Sequence, residues 1–307
     1  MIPEWPAEPS VPHELIARLR RHAHPLKPIP TDQRTRLTEL PGIRVALFDV
    51  YGTLFISASG DIAASNGEVR SRAMAEALEA VGLPADRNRA GRAAEALVEA
   101  ITRTHKRFKE RGVQYPEVDI RSILFEVLEY LRPPGFGGED PSRGLCETLA
   151  VEYECRSNPI WPMPGLAETL RHLREGGVTL GILSNAQFFT PLLFPAYLDA
   201  NLEKLGFDPA LCVYSYRLRE AKPSLLLFRH ALDMLTRRDI EPQQVLYVGN
   251  DRINDIWPAA HAGMRTALFA GDSRSFRPRD EDPRIRGVRE DLLLTDLRQL
   301  IEVVGNV

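Results

Sequence analysis

Short, unbroken apolar runs punctuate this chain, and each ends on a small or polar residue. The run IRVALFDVYGTLF, Ile43 to Phe55, is rich in β-branched and aromatic residues and breaks at Gly52, which predicts a buried strand entering a turn. VTLGILSNA (Val178 to Ala186), LCVYSYRL (Leu211 to Leu218), VLYVGND (Val245 to Asp251) and RTALFAG (Arg265 to Gly271) share that form. Between them, GLAETLRHLREGG after Pro164 and SLLLFRHALDML after Pro223 carry apolar residues at helical spacing with a proline just ahead. Strand alternating with helix predicts an α/β fold: a parallel sheet covered on both faces. Polar residues at the carboxyl ends of its strands then gather along one edge.

Residues 60–160 follow another rule. SRAMAEALEAVG, AAEALVEAITRTHKRFKERG and DIRSILFEVLEYL are Ala/Leu-rich, charged and helical in period, with no convincing strand among them. An all-α insert is expected there, leaving after the first strand and returning at the proline-rich NPIWPMPG. The expected organisation is an N-terminal arm at 1–42, a sheet domain from 43–59 and 161–307, and the helical insert at 60–160. The arm is proline-rich, with a short amphipathic stretch around His13 to His22.

Composition narrows the function without naming it. The 307 residues are 44% hydrophobic, enough for a full core, and the net charge of -3 supplies no field for nucleic acid or anionic lipid. A small-molecule substrate and a monomer or homodimer are expected. Cys146, Cys155 and Cys212 are odd in number and widely spaced, as free thiols rather than a disulfide or zinc framework would be. The seven histidines show no metal-binding spacing and are expected to be structural or surface residues. The acidic, proline-rich start lacks the basic and apolar segments of a signal peptide, and no window suits a membrane helix, so a cytoplasmic location is expected.

Four polar clusters follow predicted strands: Asp49 to Thr53, Ser184-Asn185, Lys222 in EAKPS, and Asp251 with Asp255 in GNDRINDI. A strand-end carboxylate can be a nucleophile, but toward an anionic substrate it needs neutralising partners. Lys222, the hydroxyls of Thr53 and Ser184, and a hard cation such as Mg²⁺ would supply them, with Asp49 and Asp251 among the metal's oxygen ligands. Taken singly, each residue has a plainer reading. Asp49 could cap a turn, Lys222 could be a solvated lysine, Ser184 and Asn185 could end a strand, and Asp251 and Asp255 could serve as turn and helix-start acids.

In order and spacing, the four clusters together resemble the motifs of the haloacid dehalogenase superfamily. The resemblance extends from Ile43 to about Gly271. It implies a Rossmann-like sheet with a cap formed by the insert. It further implies Asp49 as nucleophile, Thr53 and Ser184 as groups holding the transferring phosphoryl, and Lys222 as charge stabiliser. Tyr51, Gly52, Asn185 and Asn250 are expected against the substrate, and Asp49, the Tyr51 carbonyl, Asp251 and Asp255 around Mg²⁺.

Two features pull apart. Phosphatases of that superfamily carry a second Asp two residues after the nucleophile, where this chain has Tyr51, as the metal-free dehalogenases do. The acidic fourth cluster points instead to a metal, because a buried Asp251 needs a compensating cation. The expected activity is therefore Mg²⁺-dependent hydrolysis of a small phosphomonoester through an aspartyl-phosphate. The alternatives are metal-independent dehalogenation of a short halo-acid, with Arg70 or Arg72 receiving the halide, and a binding protein that has lost turnover. Tyr115, Glu117, Asp119 and Arg121 are a further polar cluster, read first as a charged helix start and second as cap residues reaching the substrate.

Overall fold

The computed structural model describes residues 5–6, 8–57, 67–131 and 140–304. The expected border between sheet domain and insert, at 59 and 60, lies outside the described residues. Helix α1 (Pro12–Arg21) precedes strand β1 (Val45–Phe48) and strand β2 (Phe55–Ser57). Four helices follow: α2 (Gly67–Ala80), α3 (Arg87–Glu110), α4 (Ile120–Tyr130) and α5 (Arg143–Ser157). Then come β3 (Ile160–Pro162), α6 (Leu166–Glu175), β4 (Thr179–Ser184), α7 (Leu193–Tyr197), α8 (Leu202–Leu205), β5 (Phe207–Tyr214) and α9 (Ser215–Leu218). The chain finishes with α10 (Leu226–Thr236), β6 (Val245–Gly249), α11 (Trp257–His261), β7 (Arg265–Phe269), β8 (Leu292–Leu294) and α12 (Gln299–Val303).

Six strands form one parallel sheet in the order β5-β4-β1-β6-β7-β8. Its central strand β1 is apolar and buried at every position because both faces are covered. In β1, Ala46 and Phe48 join one core with Leu166, Leu170 and Leu173 of α6, while Val45 and Leu47 join another with Leu227, Phe228, Ala231 and Leu235 of α10. Burying each such side chain contributes about 1.5–3 kcal/mol, so the alternation fixes the register of every strand.

Two segments differ from expectation. LCVYSYRL is not one strand: β5 ends at Tyr214, and Ser215–Leu218 turns into α9. The excursion after β1 begins and ends in a small antiparallel ladder, Phe55 opposite Pro162 and Ser57 opposite Ile160. Its helices pack on one another, α2 on α3 and α5, and α4 on α3 and α5. Asp86 and Ser142 cap α3 and α5 by accepting from the backbone N–H of Arg89 and Leu145. Ala90, Ala93, Ala94, Leu97 and Ala100 give α3 its buried stripe.

The N-terminal arm is tied to α5 by charge. Helix α1 packs on α5 and α7, with Leu15 and Leu19 buried. Buried Glu147 accepts from the Ser10 N–H and hydroxyl at 2.7 and 2.6 Å, and buried Glu152 accepts from Arg18, His22 and Arg156. Burial raises the Glu152 carboxyl, but those donors outweigh it and hold it down at about 2. Cys146 and Cys212 are buried and Cys155 is half-buried, all as free thiols. Among the described residues, no helix is long and apolar enough to cross a membrane.

Candidate active site

Because the strands run parallel, β1, β4 and β6 deliver their carboxyl ends to one edge of the sheet. Asp49 leaves β1 there, its N–H donating to the Val248 carbonyl at 2.9 Å. The Ser184 hydroxyl, at the end of β4, donates to Asp49 Oδ1 at 2.7 Å. Lys222 enters from the loop after α9, its Nζ 2.9 Å from Asp49 Oδ1 and 2.5 Å from Asp255 Oδ1. The ammonium is also bonded to the Leu183 carbonyl and the Tyr247 hydroxyl at 3.2 and 2.9 Å.

Asn185 fixes the Lys222 backbone, accepting from its N–H at 2.7 Å and donating to its carbonyl at 3.2 Å. Lys222 is 4% exposed and Asp255 is fully buried, so desolvation is the largest single influence on each. Burial lowers the ammonium's affinity for its proton, yet the Asp255 and Asp49 carboxylates raise its pKa above the ordinary lysine value. Burial, opposed by Lys222 and reinforced by Asp49 and Asp251, pushes the Asp255 carboxyl up to about 7. Gly249 makes the close approach feasible, since a Cβ there would stand 2.4 Å from Asp255 Cγ.

The turn after Asp49 is equally constrained. Gly52 has φ +80°, donates to the Phe55 carbonyl at 2.7 Å, and would carry a Cβ 2.5 Å from Ser275 Cβ and 2.7 Å from Asn250 Nδ2. Gly52→Ala is therefore expected to cost about 1–3 kcal/mol of stability and to lower turnover by displacing Asp49. A denaturant melt identical to the parent's would show that the turn can relax. Thr53, fully buried, donates to Asn250 Oδ1 at 3.1 Å, and Asn250 Nδ2 donates to the Ser275 carbonyl at 2.6 Å. The Asn250 amide thus braces the loop that holds Asp49.

Asp251 faces other partners. Its Oδ1 accepts from the N–H groups of Ile253 and Asn254 at 2.9 and 3.1 Å. Its Oδ2 accepts from Asn254 Nδ2 at 3.1 Å and from Arg279 Nη2 at 2.7 Å, with Arg279 Nε at 3.2 Å. Asp251 is thus ion-paired with Arg279, from the loop after β7. Tyr51 places its hydroxyl 2.9 Å from Thr190 Oγ1; burial, then the charges of Glu154 and Asp49, keep this phenol's pKa well above the usual range. Among the described residues, no group of three or more His, Cys, Asp or Glu side chains is placed to hold a metal ion.

Opposite this edge, the helical insert closes a cavity of about 770 Å³. Asp49, Tyr51, Asn185, Lys222, Asn250, Asp251 and Asp255 line it from the sheet side. Arg70, His105, Glu117, Tyr153 and Glu154 line it from the insert. The backbone bridges Ala221 N–H to Tyr115 O, 2.7 Å, and Glu117 N–H to Arg219 O, 3.0 Å, join the two sides just before Lys222. Glu117 accepts from the Ser215 hydroxyl at 2.8 Å and lines the cavity.

The rest of that polar cluster is structural. Asp119 caps α4 and pairs with buried Arg121 at 2.7 Å, and Arg121 lies 4.9 Å over the Phe188 ring. Arg72 is exposed and does not line the cavity, whereas Arg70 does. Among the histidines, His105 also lines the cavity. Tyr247, Arg279 and Tyr153 escape a reading of the sequence. Tyr247 looks like a core position of β6, Arg279 stands in a loop without periodicity, and Tyr153 sits among other buried residues of α5.

Among known proteins, the haloacid dehalogenase-like hydrolases match residues 43–263. Phosphoglycolate phosphatase 1 of Pseudomonas aeruginosa is 28% identical over 187 residues, 59% of this chain and 60% of that protein, so the match spans less than two thirds of this relative. The glyceraldehyde 3-phosphate phosphatase of Methanopyrus kandleri is 26% identical over 266 residues, 85% of this chain and 97% of that protein. The solved 2-haloacid dehalogenase from Pseudomonas syringae pv. Tomato DC3000 has a TM-score of 0.51 at 22% identity, over 85% of this chain and 97% of that one, a likeness of fold alone.

Proposed function

Because the chain belongs to the haloacid dehalogenase-like hydrolases, we propose that it hydrolyses a small anionic substrate through a covalent ester on Asp49, without a divalent metal, the leaving group departing as a stable anion. Halide displacement from a short 2-halo acid is the reaction of that kind. The observation that carries this choice is the Asp251–Arg279 pair. A carboxylate offers about four lone-pair sites, and Asp251 already meets two backbone N–H groups, the Asn254 amide and a guanidinium. Mg²⁺ would have to displace Arg279 to gain a second carboxylate beside Asp49. The donor set therefore does not fit the expected metal, and no step is routed through one.

The chemistry follows from the remaining groups. An Asp49 oxygen attacks the halogen-bearing carbon; a C–O bond forms, the carbon–halogen bond breaks, and halide carries away the electron pair. No proton is needed at the leaving group, which agrees with a Tyr51 phenol held by Thr190 and reluctant to give up its proton. Ser184 and Lys222 orient the nucleophile and hold its negative charge in a buried setting. Water then adds to the ester's acyl carbon, the acyl C–O bond breaks, and a 2-hydroxy acid leaves. Asp49 is regenerated, with one proton released to solvent.

A second reading is phosphomonoester hydrolysis, favoured by the phosphatase from Methanopyrus kandleri that matches 85% of the chain. A panel of 2-halo acids and phosphomonoesters, assayed with chelator and with added Mg²⁺, separates the two. We expect halide release that changes less than about twofold on chelation, because no step depends on a bound cation. Phosphate release that collapses with chelator, without halide release, would establish the second reading.

A further inference from the structure

Tyr153 presents a buried hydroxyl that no group among the described residues satisfies. It sits on α5, 1% exposed, on the insert's side of the cavity, and its hydroxyl has no hydrogen-bond partner among the described residues. Tyr247, beneath the site, is engaged with Lys222, Asp255 and the Leu183 carbonyl; Tyr214 in β5 also has a buried hydroxyl with no partner among the described residues, but of these three tyrosines only Tyr153 lines the cavity. An unmet buried polar group is costly, and the cost disappears when a ligand brings an acceptor to it.

The geometry points to Tyr153 as a substrate-binding residue whose hydroxyl donates to a carboxylate oxygen of the substrate, on the cap side of the atom that Asp49 attacks. The assignment deepens the reading of this cavity as the hydrolase site and depends on it. Arg70, from α2, lines the same wall and is close enough for its charge to act on the phenol. Burial pushes that phenol up to about 12, so it keeps its proton and remains a donor at neutral pH. Glu154 shares the wall, with its Oε1 held by Asn158 Nδ2 at 2.8 Å. Tyr153 and Asp49 line the same cavity, from the insert and from the sheet edge.

Tyr153→Phe removes only the hydroxyl. Binding of 2-hydroxypropionate, the product expected from 2-chloropropionate, and of its amide is measured by calorimetry on the parent and the variant, alongside thermal melts. We expect the variant to bind the hydroxy acid about tenfold more weakly or worse, as for loss of a charge-assisted hydrogen bond. Its melt should be unchanged or higher, because no internal bond is lost. The KM for 2-chloropropionate should rise with little change in kcat. Equal binding of the acid by both proteins, equal binding of acid and amide by the parent, or no binding by the parent would overturn the assignment. Since binding is read without turnover, a protein that released phosphate rather than halide would defeat the proposed reaction while leaving this result standing.

Discussion

Asp49→Asn should lower turnover by about 10⁴-fold or more, the scale seen when a catalytic nucleophile is removed. The fold should survive. The amide oxygen can still accept from Ser184, and Lys222 keeps Asp255 as its partner. A single turnover of the parent in heavy-oxygen water adds a chemical test of which bond water breaks. An alkyl ester is attacked at its acyl carbon, so the label enters the Asp49 carboxylate and one old carboxylate oxygen leaves with the product. An acyl phosphate is attacked at phosphorus, so the label enters phosphate and Asp49 stays light. Peptide mass spectrometry of the segment containing Asp49 reads the difference directly. Labelled Asp49 would support the proposed displacement at carbon, and light Asp49 with labelled phosphate would support the second reading. An Asp49→Asn variant as active as its parent would defeat both.

Much of this arrangement was legible because a parallel sheet obeys strict rules. Strands β1, β4 and β6 are covered on both faces, so they are written as continuous apolar runs, and the residues just beyond them share an edge whatever the loops do. Asp49 and Ser184 meet for that reason, whereas Lys222 arrives from the loop after α9. Strand β8 escapes because the three leucines Leu292–Leu294 fit a helix as well as a strand. The β2–β3 ladder escapes because the whole insert separates Phe55 from Pro162 along the chain, and only pairing in space defines the two strands. LCVYSYRL runs past its strand because the short α9 has too few residues to show a period.

Asp251 is the instructive case. The physical premise is that a buried carboxylate requires a compensating charge, and Arg279, 28 positions on, pairs with Asp251. Nothing in the local pattern distinguishes a distant guanidinium from a bound cation. The insert is harder still. Its helical period identifies the faces that pack, yet Arg70, His105, Glu117 and Tyr153 reach the cavity from three helices and a loop, and their convergence is a property of the packing alone.

Lys222→Met should be nearly as damaging to activity as loss of the nucleophile and more damaging to the fold. The ammonium lies between Asp49 and Asp255, and removing it leaves two buried carboxylates without their cation. Breaking a buried pair in this way typically costs about 3–5 kcal/mol, and we expect turnover to fall by about 10³-fold, as when a charge-holding donor is lost. The pH dependence separates electrostatics from packing. In the parent, Asp255 titrates near 7 in the fold against 3.8 in the unfolded chain. A carboxyl raised on folding stabilises most in acid, in full below the unfolded value, and that contribution is lost as pH rises through about 7. Without Lys222 the folded value climbs further, so the variant's melting temperature should trail the parent's most above pH 7 and approach it toward pH 5, where Asp255 can hold its proton. A deficit that stays constant across this range would mean that Lys222 contributes volume rather than charge, and the Asp49 site would have to work without it.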